Sequence, residues 1–140
     1  MKISDKERLK KIIKTWDSLQ KQMEEHRITR ELLFNDEFSQ WAVTTPLYNI
    51  GEQVYMLSAD FKKAHSDIPW SVVSGLRHRL VHDYEGINWS IIVEVVFDEM
   101  DDFENLLSAC FDLLLRLRKM IDAGGLILCP KNEYNGQITT

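Results

Sequence analysis

The sequence contains few of the residues that interrupt helices or form covalent frameworks. Its 140 residues include two cysteines, three prolines and six glycines. So few cysteines argue against a disulfide framework and favour a reducing cytoplasm. No apolar run approaches the ~20 residues that cross a bilayer, and the first residues lack the apolar block of a secretory signal. We therefore expect a cytoplasmic protein that does not act at a membrane.

Acidic residues outnumber basic ones. There are 22 Asp and Glu against 17 Lys and Arg, which gives a formal net charge of −5. Such a chain is not expected to coat nucleic acid without specificity, because that mode of binding needs a broadly basic surface. A small basic pocket remains compatible with this charge. Arg77 and Arg79 form one local concentration of positive charge, and residues 116–119 form a second.

Apolar residues recur at steps of three and four along most of the chain, which is the period of an α-helix packed on one side. With short connections between these stretches, the pattern predicts an all-α fold, an antiparallel up-and-down helical bundle. We expect one helical domain over residues 1–125 and a C-terminal extension over residues 126–140. The aromatic side chains expected in the core are Trp16, Phe38, Trp41 and Phe97.

Two residues mark the second long helix that the pattern predicts. Pro46 lacks a backbone donor, so we expect a kink or a break near Thr44 and Thr45. Gly51 costs a helix about 1 kcal/mol relative to Ala, which indicates a position where another helix comes close. Tyr55 is counted with the inward stripe of this helix.

The segment most suited to chemistry spans residues 77–84, with the sequence RHRLVHDY, and holds two of the four histidines. Histidine can take or give a proton near neutral pH, and arginine presents a fixed cationic fork that suits phosphate. The combination favours phosphodiester chemistry or phosphate binding. Arg77 and His82 are the candidates for catalysis, and His78 and Arg79 are candidates for phosphate binding.

Helical geometry limits how these side chains can cooperate. Residues on a helix advance by about 100° each, so Arg77 and His82 would point about 140° apart. Both can address one phosphate only if the helix loosens near His82 or if a second chain completes the site. A helix end just after Val81 would allow the first, and a two-fold dimer would allow the second.

Two structural alternatives apply to the same residues. Arg77 could form an interhelix salt bridge, and Glu52 could be its partner or could face solvent. His78 and His82 have the i,i+4 spacing of a zinc pair, which Asp83 or Glu85 could complete. No cysteine or HExxH pattern supports such a site, so the metal interpretation is the weaker one.

The order Arg77, four residues, His82, one residue, Tyr84 matches the R-x4-H-x-Y signature of HepT-like toxins. The chain thus resembles that family, which belongs to the HEPN superfamily of helical nucleases and nucleotide-binding domains. Residues 50–52, 57–58 and 68–70 resemble further family segments in the same order, and the resemblance covers about residues 38–103. His78 stands where many members have asparagine.

The resemblance implies a HEPN-like bundle that forms a homodimer and cleaves RNA, without a metal or another cofactor, in a cleft between two subunits. It implies that His82 acts as general base or acid and that Arg77 stabilises charge on the phosphate in the transition state. His78 would orient the phosphate. It also implies a partner, an MntA-type nucleotidyltransferase antitoxin that transfers AMP to Tyr84 and so repels RNA.

A function of another class remains open beside the ribonuclease. The same residues could hold a nucleotide or the antitoxin without catalysis, as a nucleotide-binding or protein-interaction module. The acidic net charge and the lack of a basic RNA track keep this alternative in view. A purely structural helical dimer would leave the cluster at residues 77–84 unexplained.

Overall fold

The computed structural model describes residues 3–82 and 86–110, with the backbone alone at residues 3, 81 and 82. The chain divides into two compact units, residues 1–108 and residues 109–140. In the second unit the two described residues are helical, and Cys110 is buried as expected of a small apolar residue. The predicted boundary between residues 125 and 126, the extension that follows it and the cationic residues 116–119 lie outside the described residues.

The described part of the first unit is helical and contains no strand, which confirms the all-α prediction. Its elements in chain order are α1 (Ile3–Glu25), α2 (Arg30–Asn35), α3 (Glu37–Met56), α4 (Ala59–Ala64), α5 (Trp70–His82) and α6 (Trp89–Glu94). A π-helical turn over Val95–Glu99 continues α6, and α-helix resumes from residue 100. No described helix combines the length and the apolar character needed to cross a bilayer.

Polar side chains fix where α3 and α4 begin. The Asp36 carboxylate accepts from the backbone and the hydroxyl of Ser39, which caps α3. Ser58 caps α4 by accepting from the Phe61 N–H. Ser58 in turn donates from its backbone and its hydroxyl to Asp5, at 2.9 and 2.7 Å. The buried carboxylate of Asp5 therefore ties the start of α1 to the end of α3.

The three long helices are α1, α3 and α5. The middle one, α3, packs against both α1 and α5 and runs antiparallel to each of them. Near the start of α1, Arg8 donates to Gln53 close to the end of α3. The direction of the chain reverses again in α5. Trp70, at the start of α5, contacts Phe61 beyond the end of α3, whereas Arg77 lies beside Gly51 within α3. The core is formed by apolar side chains of these helices and of the last described helix, among them Leu9, Trp16, Leu47, Ile50, Leu76 and Phe103.

The inward face of α3 differs from the predicted one. Phe38, Trp41 and Tyr55 were expected in the core, but they are 72%, 56% and 56% exposed. The buried positions are Ser39, Val43, Leu47, Ile50, Gly51 and Val54, of which Gly51 and Val54 belong to the predicted stripe. The steps of three and four allow two overlapping stripes on one helix, and packing against α1 and α5 buries the stripe that begins at Ser39. Trp16 is buried as predicted, and Phe97 is half-buried with the Arg30 guanidinium over its ring.

The expected break at Pro46 is absent. The helix α3 runs unbroken from Glu37 to Met56. Proline removes the donor for the carbonyl of Ala42. Ala42 is exposed, so water can satisfy that carbonyl and the helix can continue.

At Gly51 the backbones of α3 and α5 come close together. A Cβ built on Gly51 would lie 2.9 Å from the Arg77 nitrogen and 3.1 Å from the Val73 oxygen. Both neighbours are backbone atoms of α5, which cannot rotate away as a side chain would. This proximity confirms the close helix approach predicted at Gly51, and it places the backbone of Arg77 directly against α3.

We expect Gly51→Ala to destabilise the fold by about 1–3 kcal/mol, because the added methyl group must push two helices apart. Gly75→Ala is the matched control on α5, since a Cβ there meets nothing within 4 Å among the described residues. That control should be neutral or stabilising by up to about 1 kcal/mol through helix propensity. Urea unfolding followed by circular dichroism measures both, and equal effects of the two substitutions would contradict the close approach.

Candidate active site

Arg77 is held in place by a carboxylate on the neighbouring helix. Its Nε donates to Glu52 Oε1 at 2.6 Å, and both side chains are about one-third exposed (32% and 31%). Glu52 follows Gly51 directly, so the close approach of the backbones sets the distance that this ion pair spans. Of the two possibilities for Glu52, the structure therefore has the carboxylate paired with the motif arginine. The interhelix salt bridge considered for Arg77 is also present.

Tyr55 supports the other side of the same guanidinium. Arg77 Cζ lies 4.2 Å from the centroid of the Tyr55 ring, within the range of a cation–π interaction. The hydrogen bond that Arg77 donates to Glu52 raises the pKa of Arg77, and the charges of Glu52, Tyr55 and Tyr48 act in the same direction. Arg77 thus remains a cation at any physiological pH, and its plane is fixed by two residues of one helix.

This arrangement leaves the terminal nitrogens of Arg77 available. Among the described residues, none accepts a hydrogen bond from Nη1 or Nη2 of Arg77, while Nε is committed to Glu52. A guanidinium presents two parallel donors to a phosphate or carboxylate. Arg77 can therefore bind an anion through its outer edge without releasing Glu52.

The other predicted site residues are distributed differently. His78 and Arg79 are exposed on α5. His82 is the last residue of α5, described through its backbone alone, and Tyr84 lies outside the described residues. Arg77 is seen with Glu52 and Tyr55 as its partners.

The helical backbone reaches one residue further than the expected end just after Val81. Since α5 includes His82, positions 77 and 82 belong to one helix and stand about 140° apart around its axis. A helix that loosens before His82 was one of two ways to bring these residues to one phosphate, and it does not occur here.

Tyr55 was not recognised as a site residue from the sequence. It was assigned to the apolar stripe, although Tyr55 and Glu52 are three residues apart and so share one face of α3. Glu52 was considered as a partner of Arg77, so the same spacing could have identified Tyr55.

No group of three or more His, Cys, Asp or Glu side chains suited to a metal ion is found in the part of the chain that the structure describes. The zinc alternative at His78 and His82 would need Asp83 or Glu85, which lie outside that part.

Arg77 gives a direct test of this geometry. In wild type the Arg77 Nε–H should give a protected cross-peak in a ¹H–¹⁵N spectrum, because it is bonded to Glu52. Glu52→Ala should abolish that protection, and Glu52→Gln should keep part of it because an acceptor oxygen remains. Arg79, which is exposed, provides the internal reference for a solvated guanidinium. An Arg77 signal that is unchanged in Glu52→Ala would contradict the ion pair.

Several known proteins are similar to this chain in sequence. The family model described as Ribonuclease HepT-like matches residues 7–110, which include α3 and the whole of α5. A protein named "Putative RNase" from Caldanaerobacter subterraneus subsp. tengcongensis is 40% identical over 55 residues, which is 39% of this chain and 49% of that protein. A "Probable ribonuclease HepT" from Thermococcus cleftensis is 34% identical over 86 residues, covering 56% of this chain and 78% of that protein.

A further "Putative RNase", from Methanocaldococcus jannaschii, is 36% identical over 73 residues, covering 52% of this chain and 60% of that protein. The chain therefore spans 49% and 60% of the length of two of these relatives. No solved structure gave a significant match. Because the family model covers well over half of the sequence, the chain belongs to the HepT-like ribonuclease family.

Proposed function

We propose that this member of the HepT-like ribonuclease family is a metal-independent RNA endonuclease that acts in the cytoplasm as the toxin of a toxin–antitoxin pair. The observation that carries the proposal is the Arg77 guanidinium, oriented by Glu52 and Tyr55 with its outer edge open. Family membership and the ribonuclease names of several relatives support the same reaction class.

The proposed chemistry needs a base, an acid and a cation. The ribose 2′-oxygen attacks the adjacent phosphorus as its proton passes to His82, and the bond from phosphorus to the 5′-oxygen breaks. The leaving 5′-oxygen takes up a proton, and the products are a cyclic phosphate and a 5′-hydroxyl. Arg77 stabilises the negative charge that grows on the phosphate oxygens. His78 and Arg79 bind the phosphate from the exposed side of α5.

Two subunits solve the geometric problem at positions 77 and 82. Because they stand about 140° apart on one helix, one copy of the motif is poorly placed to surround a phosphate. A two-fold homodimer brings two copies together, so that Arg77 of one subunit and His82 of the other can face the same phosphate. On α3, whose Glu52 binds Arg77, Tyr55 and Met56 are 56% and 48% exposed. They offer apolar area for such an interface.

Arg77→Ala and His82→Ala should each lower RNA cleavage in the presence of chelator by at least about 10²-fold, the usual scale when an acid–base group or a transition-state cation is removed. His26→Ala is the matched control, since His26 is exposed at the end of α1 and bonds to the Gln22 carbonyl. Gel analysis of the fragments gives the rate and the termini. Equal cleavage by all four proteins would show that the activity comes from elsewhere.

The proposed partner is an MntA-type nucleotidyltransferase antitoxin that modifies Tyr84. Attack of the tyrosine oxygen on the α-phosphorus of ATP would form a phosphodiester to AMP and release pyrophosphate. The added negative charge and bulk beside Arg77 and His82 would then repel RNA.

Incubation with the antitoxin and ATP should add one adenylyl group to the peptide that contains Tyr84, and cleavage should fall in parallel. Mass spectrometry measures the first and the RNA assay the second. Tyr84→Phe should stay unmodified and active, whereas Tyr48→Phe should be modified as wild type is. Inhibition by the antitoxin with Tyr84 left unmodified would overturn this mode of regulation.

One observation favours the second candidate, a non-catalytic nucleotide-binding or interaction module. The charge of Arg77 is already balanced by Glu52, as in an ordinary structural ion pair. Such a module would bind a nucleotide or the antitoxin and leave RNA intact, so the cleavage assay above separates the two functions.

A further inference from the structure

The first turns of α1 form a basic groove with the end of α3. Its walls carry the cationic side chains Arg8, Lys10, Lys11 and Lys14, and Gln53 closes the side formed by α3. The three lysines are exposed, and the groove has a volume of about 650 Å³. Every residue that lines it is polar or charged, and its one carboxylate is Glu7, whose nearest cation is Lys10 at 3.6 Å.

The acidic excess of the chain lies elsewhere. Further along α1, Asp17 hydrogen bonds to Glu104, and burial together with Asp17 raises the pKa of Glu104 to about 7. Asp101, on the same helix as Glu104, accepts a hydrogen bond from Gln20. Near the groove itself, Asp5 is buried on Ser58. The net charge of −5 therefore coexists with a locally cationic surface at the start of α1.

Two adjacent residues of α3 bond to the groove and to Arg77. The Arg8 Nη1 donates to Gln53 Oε1 at 2.9 Å, and the next residue back along α3, Glu52, holds Arg77. Gln53 and Glu52 are both half-exposed, so they lie at the two edges of the outward face of α3.

We propose that this groove binds the phosphate backbone of the RNA strand whose cleavage is proposed at Arg77, a role that rests on the proposed function. Lysines on flexible stems bind successive phosphates as point charges without reading the bases. A protein partner fits less well, because protein interfaces have an aromatic-rich centre and no aromatic side chain lines the groove.

The test measures binding separately from cleavage. A fluorescent 2′-O-methyl oligouridylate keeps every phosphate but cannot be cut through the 2′-oxygen, so the intact wild-type protein can be titrated across a salt series. Lys11→Gln with Lys14→Gln is the test variant. Lys21→Gln with Lys63→Gln is the control with an equal change of charge. Both lysines have acidic neighbours on their own helices: Asp17, Glu24 and Glu25 for Lys21, and Asp60 for Lys63.

The slope of log K against log salt should fall by about 1.4 in the test variant, because each phosphate that is no longer neutralised on a single strand lowers the slope by roughly 0.7. The control should keep the wild-type slope. Equal slopes in both variants, or no binding by wild type, would overturn the groove. If wild type cleaves ordinary RNA but binding does not depend on the two lysines, only the proposal for the groove is overturned. Lysine-dependent binding without cleavage would support the groove and overturn the proposed function.

Discussion

The close backbone approach at Gly51 is the constraint on which the candidate site depends. With hydrogen as its only side chain, Gly51 lets α3 approach α5 until its Cα faces the Arg77 nitrogen. At that separation Glu52 Oε1 accepts a hydrogen bond from Arg77 Nε at 2.6 Å, and the Tyr55 ring lies under the guanidinium. A larger residue would widen the gap and lengthen both interactions together. One packing requirement therefore explains a glycine that helix propensity disfavours, an ion pair and a cation–π interaction.

The pairing of Arg77 with Glu52 has opposing effects on phosphate binding. The carboxylate offsets the charge of the guanidinium, which weakens attraction for a distant anion. It also removes rotational freedom from a long side chain, so less entropy is lost when a phosphate docks on the outer edge. In a transition state that gains charge, a cation already in position costs no reorganisation. The arrangement favours a site that binds the substrate weakly by itself and relies on cations elsewhere for affinity.

The sequence predicted the helical class and the close approach at Gly51, because these depend on local period and residue type. It did not predict which face of α3 is buried. Phe38 and Trp41 are apolar at plausible spacings, and the packing of α3 against α1 and α5 leaves them outside the core. The continuity of α3 through Pro46 depends on solvent access to the carbonyl of Ala42, which no pattern reports. The π-helical turn at Val95–Glu99 likewise carries no sequence signal that we recognise.

The end of α5 decides how the motif can work. Had the helix ended before His82, the chain could have turned to bring that position toward Arg77 within one subunit. The helix instead includes His82, and the angular separation is then fixed by the hydrogen-bonded backbone at about 140°. Loosening the last turn would require breaking those bonds, whereas a second copy related by a two-fold axis supplies the opposite face of the motif without altering either helix. The regularity of α5 is thus itself an argument that the proposed active site is composite.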